Sequence, residues 1–194
     1  MEKTYNERIK GLKGLVEEIA PQHQYHNIRH ILEVSDSCKK YAKMEGLSDE
    51  DGFLLESAAL LHDIYYTVGS QKNEERSAEI GRSILGKLGY NKEQIEKVSR
   101  MILATKFPTN PNDTLEKIIC DADIENTGRD DFFEKGELVR QELGMTEKAW
   151  ASAQVNFLEN TKYYTETAKK YHEEKRQDNL RRAKDLEFWI KNFF

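Results

Sequence analysis

Three prolines in 194 residues, Pro21, Pro108 and Pro111, set the strongest limit on what this chain can fold into. Proline breaks helices, and its scarcity leaves long uninterrupted stretches. Those stretches are rich in Glu, Lys, Leu, Ala and Ile, and most of these are strong helix formers. Alternating β-branched residues, the mark of strands, are almost absent. The pattern predicts an all-α bundle of about eight or nine helices joined by short polar turns. Helices are expected at about 5–19 and 27–44, and a third opens on the acidic cap Ser48-Asp49-Glu50-Asp51. Further helices are expected from Asn73, as N-cap, to near Gly89, from Asn91 to Thr105, and from near Thr114 to Asp121-Ala122-Asp123. The remainder reads as helices at about 130–143 and 146–159, with a last one from near Thr165. One helical domain is expected over 1–194, with its core at about 20–130 and the helices of 130–194 packed on it. The C-terminal aromatics Phe188, Trp189, Phe193 and Phe194 are expected to pack on that core.

Composition narrows the function classes. Charged residues make up 34% and hydrophobic ones 38%, which suits helices with solvated outer faces. No apolar run reaches the roughly 18 residues that a membrane span needs. The N-terminal MEKTYNERIKGLKGL carries no apolar leader, so a cytoplasmic protein is expected, with no membrane partner. A formal net charge of −5 argues against non-specific nucleic-acid binding. Cys38 and Cys120 lie in apolar helical context outside any CxxC, and both are expected as buried free thiols.

The stretch from Leu54 to Tyr66, LLESAALLHDIYY, ends an apolar run with the adjacent pair His62-Asp63. An ionised carboxylate in an apolar interior needs compensation. A divalent cation supplies it, and imidazole with carboxylate is a common ligand set. A plain His-Asp hydrogen bond at a helix end is the other reading. Adjacent side chains on a helix diverge by roughly 100°, so the pair converges only where the helix ends. His26 and His30, four residues apart in YHNIRH, share one helix face. Asp121 and Asp123 follow another apolar helix, where helix capping is the competing role.

Taken in order, these residues resemble the HD-domain superfamily of metal-dependent phosphohydrolases. The resemblance rests on His30, then His62-Asp63, then Asp123. It sharpens toward a subgroup of predicted metal-dependent HD phosphohydrolases. That match adds Tyr25-His26-Asn27 with Ile31 and Val34, Tyr66, Asn73-Glu74 with Ser77-Ala78, the stretch Ile102 to Lys106, and Gly128. It implies metal ligands at His30, His62, Asp63 and Asp123, with Asp121 behind them. It implies one divalent ion per chain, whether Mn, Fe, Mg, Co, Ni or Zn. The implied activity is hydrolysis of a small phosphoester, a nucleotide, by metal-activated water. In this reading Asp63 or Asp123 orients the water, His26 protonates the leaving group and Lys106 holds phosphate. Glu74 is a further candidate for a bridging water or second metal, against helix capping. Tyr25, Tyr65, Tyr66 and Phe107 are candidates to stack a base, against core packing. Two departures stand out: Tyr65-Tyr66-Thr67 replaces the acidic pair of guanosine tetraphosphate hydrolases, and Phe107-Pro108 replaces a histidine found in many relatives. They favour a single metal. The alternatives are a non-catalytic nucleotide-binding or regulatory module of the same fold, and a helical interaction protein with a structural metal. A homodimer is compatible with the sequence.

Overall fold

The computed structural model describes residues 4–193. It contains nine α-helices and no strand among them. These are α1 (Tyr5–Ile19), α2 (Ile28–Met44), α3 (Asp49–Leu61), α4 (Asn73–Lys87), α5 (Lys92–Ala104), α6 (Thr114–Asp123), α7 (Phe132–Glu142), α8 (Glu147–Asn160) and α9 (Glu166–Phe193). A short 3₁₀ turn, Glu125–Gly128, links α6 to α7. The starts follow side-chain chemistry. Asn27, Ser48, Asn91, Asp113 and Thr146 each accept a hydrogen bond from the backbone of the first turn. Asn73 differs from the expected cap. It is the first residue of α4, and its side chain instead bonds Thr67 N and Thr67 O at 3.0 and 3.2 Å. That pair of bonds pins the loop after Tyr66.

Helix α3 is the hub. Every residue from Phe53 to Leu61 except Glu56 is buried, and a helix apolar on all sides has to be enclosed. It packs against α1, α2, α5 and α6. One apolar core joins α1 to α6 through residues such as Leu12, Ile31, Leu60, Leu85, Ile102 and Ile119. Cys38 and Cys120 are buried free thiols within this region, as expected.

The C-terminal helices are attached differently. Their own apolar cluster is small: Phe132, Val155, Leu158 and Ala183, with Phe133 and Leu180 beside it. Buried polar ties hold the rest. Arg176 donates to the carbonyls of Leu158 and Thr161 at 2.7 and 3.0 Å. Asn179 donates to those of Thr127 and Arg129, each at 2.9 Å. Gly128 lets α9 approach the 3₁₀ turn, since a Cβ there would stand 2.5 Å from the His172 carbonyl oxygen. The far end of α9 does not pack as expected. Phe188, Trp189 and Phe193 are 57–61% exposed, while Ala183, Leu186 and Ile190 of the same helix turn toward α7 and α8. Phe194 lies outside the described residues.

Candidate metal centre

Two helices end at one point. Helix α3 stops at Leu61, so His62 and Asp63 leave the helical register and turn together. Helix α6 stops at Asp123. Helix C-termini carry partial negative charge, which favours a cation between them. His30 enters from the first turn of α2. The Nε2 atoms of His30 and His62 are 3.3 Å apart. Asp123 Oδ1 lies 3.1 Å from His30 Nε2 and 3.4 Å from His62 Nε2. Asp63 Oδ2 lies 3.5 and 3.4 Å from the same two nitrogens.

The tautomer of His62 is set by its other nitrogen. Nδ1 donates to the Ala59 carbonyl at 2.7 Å, so Nε2 of the neutral ring presents a lone pair to the cluster. Four possible ligand atoms, the two Nε2 and the two carboxylate oxygens, then converge on one point. Burial works against charge on His62, but Asp63 and Asp123 outweigh it and hold its pKa well above the ordinary range. Burial likewise opposes ionisation of Asp63 and Asp123, and the two imidazoles reverse that and hold both carboxyls low. Positive charge is therefore demanded at this point. Adjacent ligands about 2.1 Å from an octahedral ion stand about 3.0 Å apart, close to the separations seen here. His30, His62 and Asp123 lie close enough to hold a metal ion, and Asp63 faces the same point.

His26 lies in the turn before Asn27, the N-cap of α2, so it does not share a helix face with His30 as expected and is not part of that convergence. Its Nδ1 donates to Glu142 Oε1 at 2.5 Å. Glu142 Oε2 accepts from the backbone N–H groups of Tyr25 and His26 at 2.9 and 3.0 Å. Burial raises the Glu142 carboxyl, but the His26 contact and these bonds win and hold it at about 2. The ring stacks on Tyr66 at 3.6 Å between centroids. Its Nε2 remains for other use. Sequence reading missed Glu142, 116 positions away. One signal was present: an acid in the last turn of a helix opposes the dipole, which calls for another use of the charge.

The centre opens into a cavity of about 370 Å³. Tyr25, His26, Tyr66, Glu74 and Phe107 line it, and α7 and α8 supply its far wall. Burial lifts the Glu74 carboxyl, and Asp63 adds to the rise. Tyr65 does not line the cavity, and Tyr25 packs on His30 at 4.7 Å. Lys106 is not brought to the cluster. Its ammonium is exposed, 2.6 Å from Glu75 Oε1 and 2.6 Å from the Gln71 carbonyl. Asp121 stands apart too. It accepts from Tyr164 N, Thr165 N and Thr165 Oγ1 at 2.7–2.8 Å and so ties down the entry to α9.

A helical bundle with this His, His-Asp, Asp convergence defines a class. The HD domain family model matches residues 27–127, and the chain belongs to the HD domain family. Its members are generally metal-dependent phosphohydrolases. Solved structures of similar fold include Bacillus subtilis YpgQ in complex with ADP, 20% identical, with a TM-score of 0.73 over 98% of both chains. Another is Lin1889 from Listeria innocua, 19% identical, with a TM-score of 0.70 over 99% of this chain and 100% of that one. No curated protein sequence matches the chain.

Proposed function

We propose that the protein is a metal-dependent phosphohydrolase acting on a small phosphoester, a nucleotide. The observation that carries the reading is the meeting of His30, His62, Asp63 and Asp123 at the end of a cavity that His26 also lines. These four residues would hold one divalent ion. Bound there, the ion supplies Lewis acidity toward a phosphoryl oxygen and lowers the pKa of water.

The chain's own groups do the rest. The carboxylate of Asp63 orients the attacking water by accepting one of its hydrogens. The water oxygen forms the new bond to phosphorus, and the ester P–O bond breaks. The leaving oxygen takes a proton from His26 Nε2. Glu142 fixes the His26 ring through Nδ1 and leaves Nε2 to face the cavity. Lys106, ion-paired with Glu75 outside the cavity, takes no part. That YpgQ, a protein of this fold, was crystallised with ADP supports a nucleotide as substrate.

A panel of nucleotides, incubated with chelator-stripped protein and then with Mn or Mg, tests the reading. Hydrolysis that appears only with the added ion is expected. Nucleotide binding without turnover under any ion would leave a binding or regulatory module instead.

A further inference from the structure

The cavity runs past the metal centre to a wall that takes no part in the proton transfers above. Gly136 of α7 and Trp150, Gln154 and Phe157 of α8 form that wall. Gln154 is only 6% exposed, yet its amide bonds to no other described residue. Its amide atoms are not sealed off but open onto the cavity, where a ligand can meet them. Gly136 bears on the same point. A Cβ at that position would overlap Gln154 Nε2 and stand 3.5 Å from Trp150 Cζ2. Glycine inside a helix is unfavourable against alanine. Helix α7 thus gives up helix preference where the amide is seated.

Around the amide, aromatic rings predominate. Phe107 and Phe157 pair with centroids 5.6 Å apart, and Trp150 adjoins Gln154 one turn back on α8. Ring faces of this kind stack on flat heterocycles. An amide offers a donor beside an acceptor, which matches the amino group and ring nitrogen on the edge of adenine.

We infer that Gln154 determines specificity by reading the hydrogen-bonding edge of an adenine base held in the aromatic end of the cavity. The inference rests on the proposed function for where the phosphate lies. The base contact itself needs no turnover.

Calorimetric titration separates the two. Adenosine monophosphate and ribose 5-phosphate are each titrated, with Mn present, into wild-type protein, Gln154→Met and Gly136→Ala. Wild type is expected to bind the nucleotide at least about tenfold more tightly than the sugar phosphate. Both variants should lose about tenfold in nucleotide affinity and none for ribose 5-phosphate, as expected when one buried hydrogen-bonding partner is removed. Gly136→Ala favours the helix, so its loss cannot be ascribed to a weakened α7. Equal wild-type affinity for the two ligands, no nucleotide binding, or variants that match wild type would overturn the assignment. A Gln154-dependent preference for the nucleotide, found in a protein that hydrolyses nothing, would sustain it while the hydrolase reading falls. Metal-dependent hydrolysis that ignores the base would do the reverse.

Discussion

The two parts of the molecule are held together by different means. Helices α1 to α6 share a continuous apolar core, with α3 enclosed at its centre. Helices α7 to α9 add only Ala168, with Tyr163 before it, to that core, have a small apolar cluster of their own, and rely further on buried polar ties through Arg176, Asn179 and Asp121. The chemistry divides along the same line. Every candidate metal ligand comes from the apolar part, where packing fixes helix ends and so fixes donor positions. The C-terminal part supplies Glu142, which holds His26, and the wall that carries Gln154. The half packed around α3 thus carries the candidate ligands, while the half held by directional bonds shapes the cavity beside them. Within one fold, different packing sustains the centre and the far wall of its cavity.

The comparison breaks first at His26, which stands where the halves meet. His26→Gln should lower turnover by about 10²–10³-fold, the usual contribution of a positioned acid. Metal content should stay at the wild-type level. Loss of metal would place His26 inside the centre and undo the division of labour.

Next come two stability measurements. Leu85→Ala, in the apolar part, should cost about 3 kcal/mol through lost burial and the cavity left behind. Arg176→Met, in the other part, should cost about 2 kcal/mol because two carbonyls lose their donor. Denaturant titration reads both. In addition, Arg176→Met should raise KM more than Leu85→Ala does, since it loosens the cavity wall. Equal effects on KM would mean that the halves do not differ in the way described.

The smallest effect concerns pH. Glu142 has a folded pKa of about 2 against an ordinary 4.5. A lowered carboxyl stabilises the fold above its unfolded value and loses that effect as pH falls toward its folded one. The stability advantage of wild type over Glu142→Gln should be constant above about pH 4.5 and shrink between 4.5 and 2. An advantage that grew on acidification would contradict the assigned ion pair.

Much of this was legible in the sequence, unevenly so. Helix α1 lies at 5–19 as the periodicity predicts, and the caps at Ser48, Asn91 and Thr146 mark real starts. Capping and periodicity are local, and local signals survive folding. His30, His62, Asp63 and Asp123 do meet, and the end of α3 explains how adjacent residues converge. Contacts over long separations left no such trace. Glu142 reaches His26, and Gln154 the cavity, only because the C-terminal helices fold back, and no spacing encodes that. Asp121 was expected behind the centre from its place two residues before Asp123, but two residues along a helix turn it to the opposite side, toward Thr165. Lys106 was placed by sequence proximity, and Glu75 claims its charge. The aromatic end of α9 resembled a buried face, yet Leu186 and Ile190 are the residues that turn toward α8, and Phe188, Trp189 and Phe193 are left exposed.

The central claim is that His30, His62, Asp63 and Asp123 hold one divalent ion. Mass-spectrometric metal content tests it, on protein purified without chelator or nickel resin, with Asp63→Ala measured beside it. The account predicts about one ion per wild-type chain and essentially none in the variant. Metal absent from both, even after incubation with Mn or Fe, would contradict it.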